Sequence, residues 1–108
     1  MRRGNLVAAV LPGGLGKPRP AFIVQADAFN EAHPTVVLLP LTSDLHAAPL
    51  IRILVEPSES NGLRAISQIM IDKPMTIRRD KIGKVIGRLD DDTILRVSRA
   101  LAVWMGIA

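Results

Sequence analysis

Two apolar runs in the first half of the chain constrain its fold more than any other feature of the sequence. They cover residues 21–24 and 36–41; Arg19 precedes the first run, and Thr42 and Ser43 follow the second. Short apolar runs bounded by turn-forming residues are typical of β-strands. If the two strands are antiparallel neighbours, the start of one lies beside the end of the other. The sequence therefore predicts that Arg19 and Thr42 meet at one end of a sheet, where a cation beside a hydroxyl suits a phosphate.

A loop rich in glycine and proline, residues 12–20, leads into Arg19. It lacks the spacing of a P-loop or of a dinucleotide-binding fingerprint. Arg19 stands between Pro18 and Pro20, and proline fixes its own φ while pushing the preceding residue toward extended geometry. An arginine held in this way loses less entropy on binding an oxyanion. An ordinary loop arginine before an edge strand is the alternative interpretation.

Short strands account for most of the remaining chain. We expect them at residues 5–11, 21–25, 36–41, 50–55, 63–71 and 75–77, with a further strand or turn around 84–86. Residues 36–41 form the most apolar strand and should be central. Pro40 cannot donate to a ladder, so an edge or a bulge is expected at that position.

One helix is expected at the end of the chain, from Asp90 to Ile107. Three aspartates at its start suit the N-cap and the positive end of the helix dipole. One face of this helix carries Ile94, Val97, Leu101 and Trp104. This spacing predicts a core-facing stripe with Trp104 as an anchor. Five to seven strands before one helix predict a mainly β fold with α (α+β): a small, twisted, barrel-like sheet in a single domain, residues 1–108.

The charge balance favours an anionic partner. The net charge is +4 and the pI is near 10.4, which points first to nucleic acid and second to an acidic protein. Six basic residues and one acid lie between Lys73 and Arg88, although a solvated face is an equally good interpretation of such a run. Aromatic residues are scarce, so a nucleic acid would be bound through phosphates and polar edges rather than by stacking.

Several classes of protein and of site are disfavoured. The chain has no cysteine, which excludes a disulfide framework, a thiolate metal site and a cysteine nucleophile and fits a reducing compartment. No apolar run approaches the ~20 residues that span a bilayer, and the start of the chain does not resemble a signal peptide. We therefore expect a cytoplasmic protein. His33 and His46 lack ligand spacing and Ser43 lacks a triad pattern, so no metal and no cofactor is expected.

The polar residues that remain suit phosphodiester chemistry. RNA cleavage without a metal uses the ribose 2′-hydroxyl as the nucleophile, and the protein positions it and stabilises charge on the phosphate. Arginine supplies the charge and a fork of donors, and a threonine hydroxyl can hold a phosphate oxygen. No histidine or glutamate is obviously placed as a general base.

Six short segments resemble one known family in order and spacing. They are Arg3-Gly4-Asn5-Leu6-Val7, Arg19-Pro20-Ala21-Phe22-Ile23-Val24, Ala28-Phe29-Asn30, Pro40-Leu41-Thr42-Ser43, Asn61-Gly62-Leu63 and Asp72-Lys73-Pro74-Met75-Thr76-Ile77. With the terminal helix they are distributed along nearly the full length of the chain. The chain resembles the MazF/PemK toxins, sequence-specific endoribonucleases that are often called mRNA interferases.

This resemblance implies an SH3-like β-barrel with helices, a homodimer, and ribosome-independent cleavage of single-stranded RNA. It also implies a cognate antitoxin whose acidic tail covers the active groove. The catalytic pair of the family falls on Arg19 and Thr42, where arginine stabilises the phosphorane and threonine orients the phosphate. Substrate contacts are expected from Lys17, Ser43, Asp72 and Lys73.

The sequence departs from the family at three places. Residues 13–18 lack the acid and the glutamine that many relatives carry, and Met70 stands where some relatives place a catalytic arginine. Lys73 and Met75 replace the glutamine and the arginine of the family's D-Q-x-R-T segment. The cleavage motif therefore cannot be transferred from relatives. Two alternatives are a non-catalytic toxin like CcdB, which binds DNA gyrase, and a catalytically inactive RNA-binding homologue. The Arg19 and Thr42 pair separates the nuclease from the CcdB-like alternative, because a gyrase-binding protein has no need of it. RNA binding without cleavage would mark the inactive homologue.

Overall fold

The computed structural model describes residues Met1–Ala108 and is built from seven strands and two helices. The strands are β1 (Asn5–Val10), β2 (Pro18–Ile23), β3 (Thr35–Thr42), β4 (Arg52–Val55), β5 (Ser67–Met70), β6 (Met75–Arg78) and β7 (Ile82–Arg88). The helices are α1 (Asp27–Asn30) and α2 (Asp91–Met105), and a single 3-10 turn, Arg79–Lys81, joins β6 to β7.

All seven strands belong to one antiparallel sheet. The strand order is β4-β5-β3-β2-β1-β7, and β6 pairs with β3 on the same side as β5. The path has two free ends, at β4 and β7, so the sheet is not closed into a full barrel. The predicted class, a small twisted sheet in a mainly β fold with a terminal helix, is confirmed.

Strand β3 is central, and Pro40 lies inside it. On one side β3 pairs with β2; on the other it pairs with β6 through residues 35–38 and with β5 through residues 41–42. Leu39 and Pro40 therefore fall in the gap between two partners. A residue without an N–H is best tolerated where no ladder partner is present. Pro40 is buried there, and the β2–β3 register shows no bulge at it. The expected bulge is therefore absent, but Pro40 does lack a ladder partner on one side of β3.

The alternation of side chains along the strands builds two apolar clusters, because successive residues point to opposite faces of a sheet. Phe22 and Leu39 are fully buried in the cluster that includes Val97 of α2. Ala21 and Leu38 are fully buried in the second cluster. Each strand of the central pair is thus covered on both faces.

Helix α2 begins and packs as predicted, but it ends differently. Asp90 accepts hydrogen bonds from the Thr93 N–H at 3.1 Å and from the Thr93 hydroxyl at 2.6 Å, so it is the N-cap. Val97 is fully buried, and Ile94 and Leu101 pack against the same cluster. Trp104 is 49% exposed, and every residue after it is exposed. The rest of the chain leaves the last turn of α2 uncovered, so the prediction of Trp104 as a core anchor was wrong.

The loop between β4 and β5 is docked against β7 through glycine. The Asn61 carboxamide folds the loop: Oδ1 accepts from the Ser58 N–H at 3.0 Å and from the Leu63 N–H at 2.9 Å. Gly62 has a φ of +71°, and a Cβ there would lie 2.1 Å from the main-chain oxygen of Ile86. Only glycine permits this approach. The contact fixes the position of the residues that follow Gly62.

We predict that Gly62→Ala lowers the free energy of unfolding by ~1–3 kcal/mol more than Gly16→Ala, because its methyl group overlaps backbone that cannot easily move. Gly16 is the matched control, since its φ is +77° and no atom lies within 4 Å of its Cβ position. Denaturant titration of both variants measures the difference. Equal losses would contradict the docking contact.

Asp27 ties the start of the chain to α1. Its Oδ1 accepts from the Arg3 N–H at 2.6 Å and from Asn30 Nδ2 at 3.1 Å, and the Arg2 guanidinium lies 3.1 Å from Oδ2. The bond from the Arg3 N–H is the main cause that lowers the pKa of Asp27 below its ordinary value; the Asn30 side chain and the two arginines act in the same direction.

A lowered pKa in the folded state makes Asp27 stabilising above its unfolded pKa of about 3.9. That contribution is lost as the pH falls through the lowered folded value. We therefore predict that Asp27→Asn destabilises the chain at neutral pH, and that the difference from wild type shrinks as the solution is acidified. Urea titrations of both proteins at neutral and acidic pH measure it. A difference independent of pH would contradict the assignment.

Candidate functional site

The register between β2 and β3 brings Arg19 and Thr42 to the same place. The pairs in the ladder are Ala21 with Pro40, Phe22 with Leu39 and Ile23 with Leu38. Continuing this register by two residues sets Arg19 opposite Thr42. Both side chains line one groove. The ladder itself ends at Ala21 and Pro40, and beyond it the structure places Arg19 and Thr42 in the lining of the same groove.

The groove at this end of the sheet has a volume of about 1010 Å³. It lies between the β1–β2 loop, the end of β3, the loop that precedes β5, and β7. Its charged lining residues are Arg19, Arg64 and Lys84, with no carboxylate, histidine or aromatic side chain. Cations with no anions in a concave surface create a positive potential that attracts anions.

Thr42 has a hydroxyl group that is already oriented. Its Oγ1 accepts a hydrogen bond from the Asp44 N–H at 3.0 Å, a common arrangement where a threonine ends a strand. A hydroxyl oxygen that accepts from the main chain keeps its own proton for donation. Thr42 is half-buried and Ser43, which also lines the groove, is exposed. The end of β3 therefore offers hydroxyl groups to an anion beside Arg19.

The other predicted substrate-binding residues lie outside the groove lining. Lys17 is exposed in the loop before β2, whose neighbouring residues do line the groove. Asp72 faces Arg52, with Oδ1 3.2 Å from Nη1, and the two side chains are 16% and 13% exposed. Lys73 is exposed in the turn between β5 and β6. The structure does not bring Asp72 and Lys73 to the groove surface.

The basic run at residues 73–88 does not form one patch. Arg78 pairs with Asp80 and Arg88 pairs with Asp91. Arg79 donates to the main-chain oxygens of Asn30 and His33. Of the six cations only Lys84 lines the groove, and Lys73 and Lys81 are exposed elsewhere.

Arg64 and Lys84 are groove residues that the sequence analysis did not single out. Arg64 comes two residues after Gly62, so the glycine contact with β7 determines where it lies. In the sequence, Lys84 is distinguished only as one member of the basic run at residues 73–88. The one available signal was that Arg64 directly follows the segment Asn61-Gly62-Leu63, which carries part of the family resemblance.

No metal centre or membrane segment accompanies this groove. No group of three or more His, Cys, Asp or Glu side chains is placed to hold a metal ion. His46 Nε2 lies 3.3 Å from Asp44 Oδ2, and both side chains are exposed. Neither helix has the length and apolar character needed to cross a membrane.

Known proteins are similar to this chain over nearly their whole length. A probable endoribonuclease MazF of Mycolicibacterium smegmatis is 42% identical over 109 residues, covering 100% of this chain and 99% of that protein. The Mycobacterium tuberculosis toxin MazF-mt6 superimposes with a TM-score of 0.82 at 21% identity, covering 96% of this chain and 98% of that one. A mycobacterial endoribonuclease in complex with its cognate antitoxin gives 0.80 at 25% identity, covering 100% and 97%.

The family assignment follows from the match over nearly the full chain. The model of the family described as PemK-like, MazF-like toxin of type II toxin-antitoxin system matches residues 2–105. With the 42% identical relative and the shared fold, this chain belongs to the PemK-like, MazF-like toxin family of type II toxin–antitoxin systems.

Proposed function

We propose that this chain is a ribosome-independent endoribonuclease toxin, a single domain over residues 1–108 that cleaves single-stranded RNA. The observation that carries the proposal is the juxtaposition of Arg19 and Thr42 in a groove whose charged lining is entirely cationic. The similarity to a probable endoribonuclease MazF supports it. An RNA endonuclease acts where its substrate is, so we assign it to the cytoplasm.

The nucleophile in this proposal belongs to the substrate. The ribose 2′-hydroxyl attacks the adjacent phosphorus, the bond to the 5′ oxygen breaks, and a 2′,3′-cyclic phosphate and a 5′-hydroxyl form. The 2′-hydroxyl loses its proton and the 5′ oxygen gains one, so protons balance. Because the groove lining contains no carboxylate or histidine, the protein acts mainly through positioning and charge stabilisation.

Arg19 and Thr42 divide the contacts to the phosphate. The guanidinium of Arg19 places two donors on the non-bridging oxygens, where negative charge grows in the phosphorane. Thr42 donates its hydroxyl proton to one of these oxygens, while the Asp44 N–H fixes Oγ1. The bound phosphate is thereby held with its 5′ oxygen in line with the attacking 2′-hydroxyl.

We propose Ser43, Lys17 and Lys73 as further contacts for RNA. Ser43 lies next to Thr42 in the groove, and the exposed lysines suit phosphates that flank the cleaved one. The Asp72 carboxylate faces Arg52, which favours a role in holding the turn that carries Lys73.

The proposed partners are a cognate antitoxin and a second copy of the chain. The acidic tail of an antitoxin fits the cationic groove and competes there with RNA, because both are polyanions. The exposed apolar side chains of the last turn of α2, Val103, Trp104 and Met105, supply a surface that a homodimer would bury. The similar mycobacterial endoribonuclease was solved with its cognate antitoxin.

A non-catalytic toxin of the CcdB type is not favoured. The 42% identical relative is named as an endoribonuclease, and a gyrase-binding protein has no need of a threonine hydroxyl oriented beside an arginine in a cationic groove.

We predict that Arg19→Ala reduces RNA cleavage in EDTA by about 10²–10³-fold, the usual effect of removing one donor from a developing oxyanion. Cleavage of a long single-stranded RNA, with mapping of product ends, measures it. Thr42→Val should lower the rate strongly because it removes the hydroxyl while keeping the shape. Thr42→Ser retains the hydroxyl and is the control. Full activity in Arg19→Ala would refute the mechanism.

We predict that Arg64→Gln and Lys84→Gln each weaken RNA binding and reduce the salt dependence of binding. For single strands the slope of log affinity against log salt is about −0.7 per neutralised phosphate, so each variant should lose about that much. Anisotropy titrations with an uncleavable 2′-O-methyl oligonucleotide at several salt concentrations measure the slope.

Lys81→Gln is the matched control, because Lys81 is an exposed lysine of the same basic run outside the groove. Its slope should equal that of wild type. The groove assignment would be contradicted if Lys81→Gln changed the slope as much as Lys84→Gln.

A further inference from the structure

Gln68 on β5 holds the loop that follows β3. Its Oε1 accepts from the His46 N–H at 2.9 Å, and its Nε2 donates to the His46 main-chain oxygen at 2.7 Å. A primary carboxamide thus pairs with both polar groups of one residue, as a neighbouring strand would. Gln68 is 7% exposed, so its carboxamide is largely shielded from water.

The same residue also stands beside the start of that loop. In the ladder between β3 and β5, Gln68 is the partner of Thr42. The backbone of Gln68 therefore lies opposite residue 42 while its side chain holds residue 46. Gln68 thus contacts the chain on both sides of residues 43–45: it pairs with Thr42 in the ladder, and its side chain bonds to His46.

The geometry of this loop determines the environment of the Thr42 hydroxyl. Within it, the Asp44 N–H donates to Thr42 Oγ1. That amide lies midway between the strand end and the point where the Gln68 carboxamide grips the chain. If His46 were released, Asp44 would move with the loop and the orientation of the hydroxyl would no longer be fixed.

We propose that Gln68 is a positioning residue for RNA cleavage, which acts by holding the loop 43–46 so that Thr42 directs its hydroxyl proton at the phosphate. This inference rests on the proposed endoribonuclease function. Gln68 does not line the groove, so it acts through Thr42 and not by touching RNA.

A second glutamine provides the comparison for a purely structural role. Gln25 makes the same kind of two-point contact at the other end of β3: Oε1 accepts from the Val37 N–H at 3.1 Å and Nε2 donates to the Thr35 oxygen at 3.2 Å. None of these residues lines the groove. Removing the Gln25 carboxamide costs two hydrogen bonds to β3, and removing that of Gln68 costs two to the loop after β3. Only the Gln68 bonds hold the loop that contacts Thr42 of the proposed catalytic pair.

The first test compares Gln68→Met with Gln25→Met by steady-state cleavage of an oligonucleotide built around the cut site mapped with wild type. Methionine keeps the length and removes both hydrogen bonds. We expect Gln68→Met to lower kcat by about 10–100-fold, since misplacing a positioned group costs that much. KM should change little, because the cations of the groove remain. Gln25→Met should keep the wild-type kcat at a temperature where both variants are folded.

The second test uses a variant that restores the pairing only when protonated. In Gln68→Glu a neutral carboxyl group can accept from the His46 N–H and donate to its oxygen, whereas a carboxylate cannot donate. The ratio of its kcat to that of wild type should therefore rise as the pH falls. The ladder partners of residue 68 on the two neighbouring strands are Thr42 and Leu54, and neither carries a charge that could change with pH. The neighbouring side chains of Asp44 and His46 are the same in both proteins, so the ratio reports the change at residue 68.

The outcomes distinguish failure of the Gln68 inference from failure of the proposed endoribonuclease function. A lowered kcat in Gln68→Met but not in Gln25→Met, with recovery of Gln68→Glu in acid, supports the positioning role. The positioning role alone is overturned if wild type cleaves RNA and a folded Gln68→Met has the same kcat. It is also overturned if both methionine variants lose kcat equally. A wild-type chain that cuts no RNA overturns the proposed function and this inference with it.

Discussion

The antiparallel register between β2 and β3 is the constraint on which the rest of the structure depends. Its last pair is Ala21 with Pro40, and the same register continued by two residues brings Arg19 level with Thr42, where both line the groove. A slip of one residue would turn every side chain of a strand to the other face. Such a slip would move Phe22 out of one cluster and Ala21 out of the other, although both are fully buried. The core that stabilises the fold therefore also places the cation beside the hydroxyl.

The sequence predicts well the features that depend on residues close together along the chain. The strand positions and the meeting of Arg19 with Thr42 follow from apolar runs and turn residues alone. The positions of Arg64 and Asp72 do not, because the first depends on Gly62 touching Ile86 and the second on an ion pair with Arg52. Helical spacing correctly oriented Val97 toward the core. It misplaced Trp104 because spacing identifies a face of α2 but not where the sheet beneath it ends.

A groove with cations and no carboxylates suits reactions at a phosphate in which the substrate supplies the nucleophile. A polyanion entering it would meet Arg19, Arg64 and Lys84, and cations placed in this way stabilise charge that develops on phosphorus. With no carboxylate or histidine in the lining, the nucleophile is best supplied by the substrate, as the ribose of RNA does. The same field attracts an acidic protein tail. One electrostatic property thus accounts for both the proposed substrate and the proposed inhibitor, which compete because they satisfy the same cations.

The end of β3 needs polar contacts to be accurate, because apolar packing fades there. Leu41 is 6% exposed, Thr42 is half-buried and Ser43 is exposed. Dispersion and burial cannot fix a hydroxyl at such a boundary to within the few tenths of an ångström that catalysis requires. Directional hydrogen bonds can, and here they run from the Gln68 carboxamide to His46 and from the Asp44 N–H to Thr42. The core thus sets the register of β3, and main-chain hydrogen bonding beyond the core sets the orientation of its last side chain.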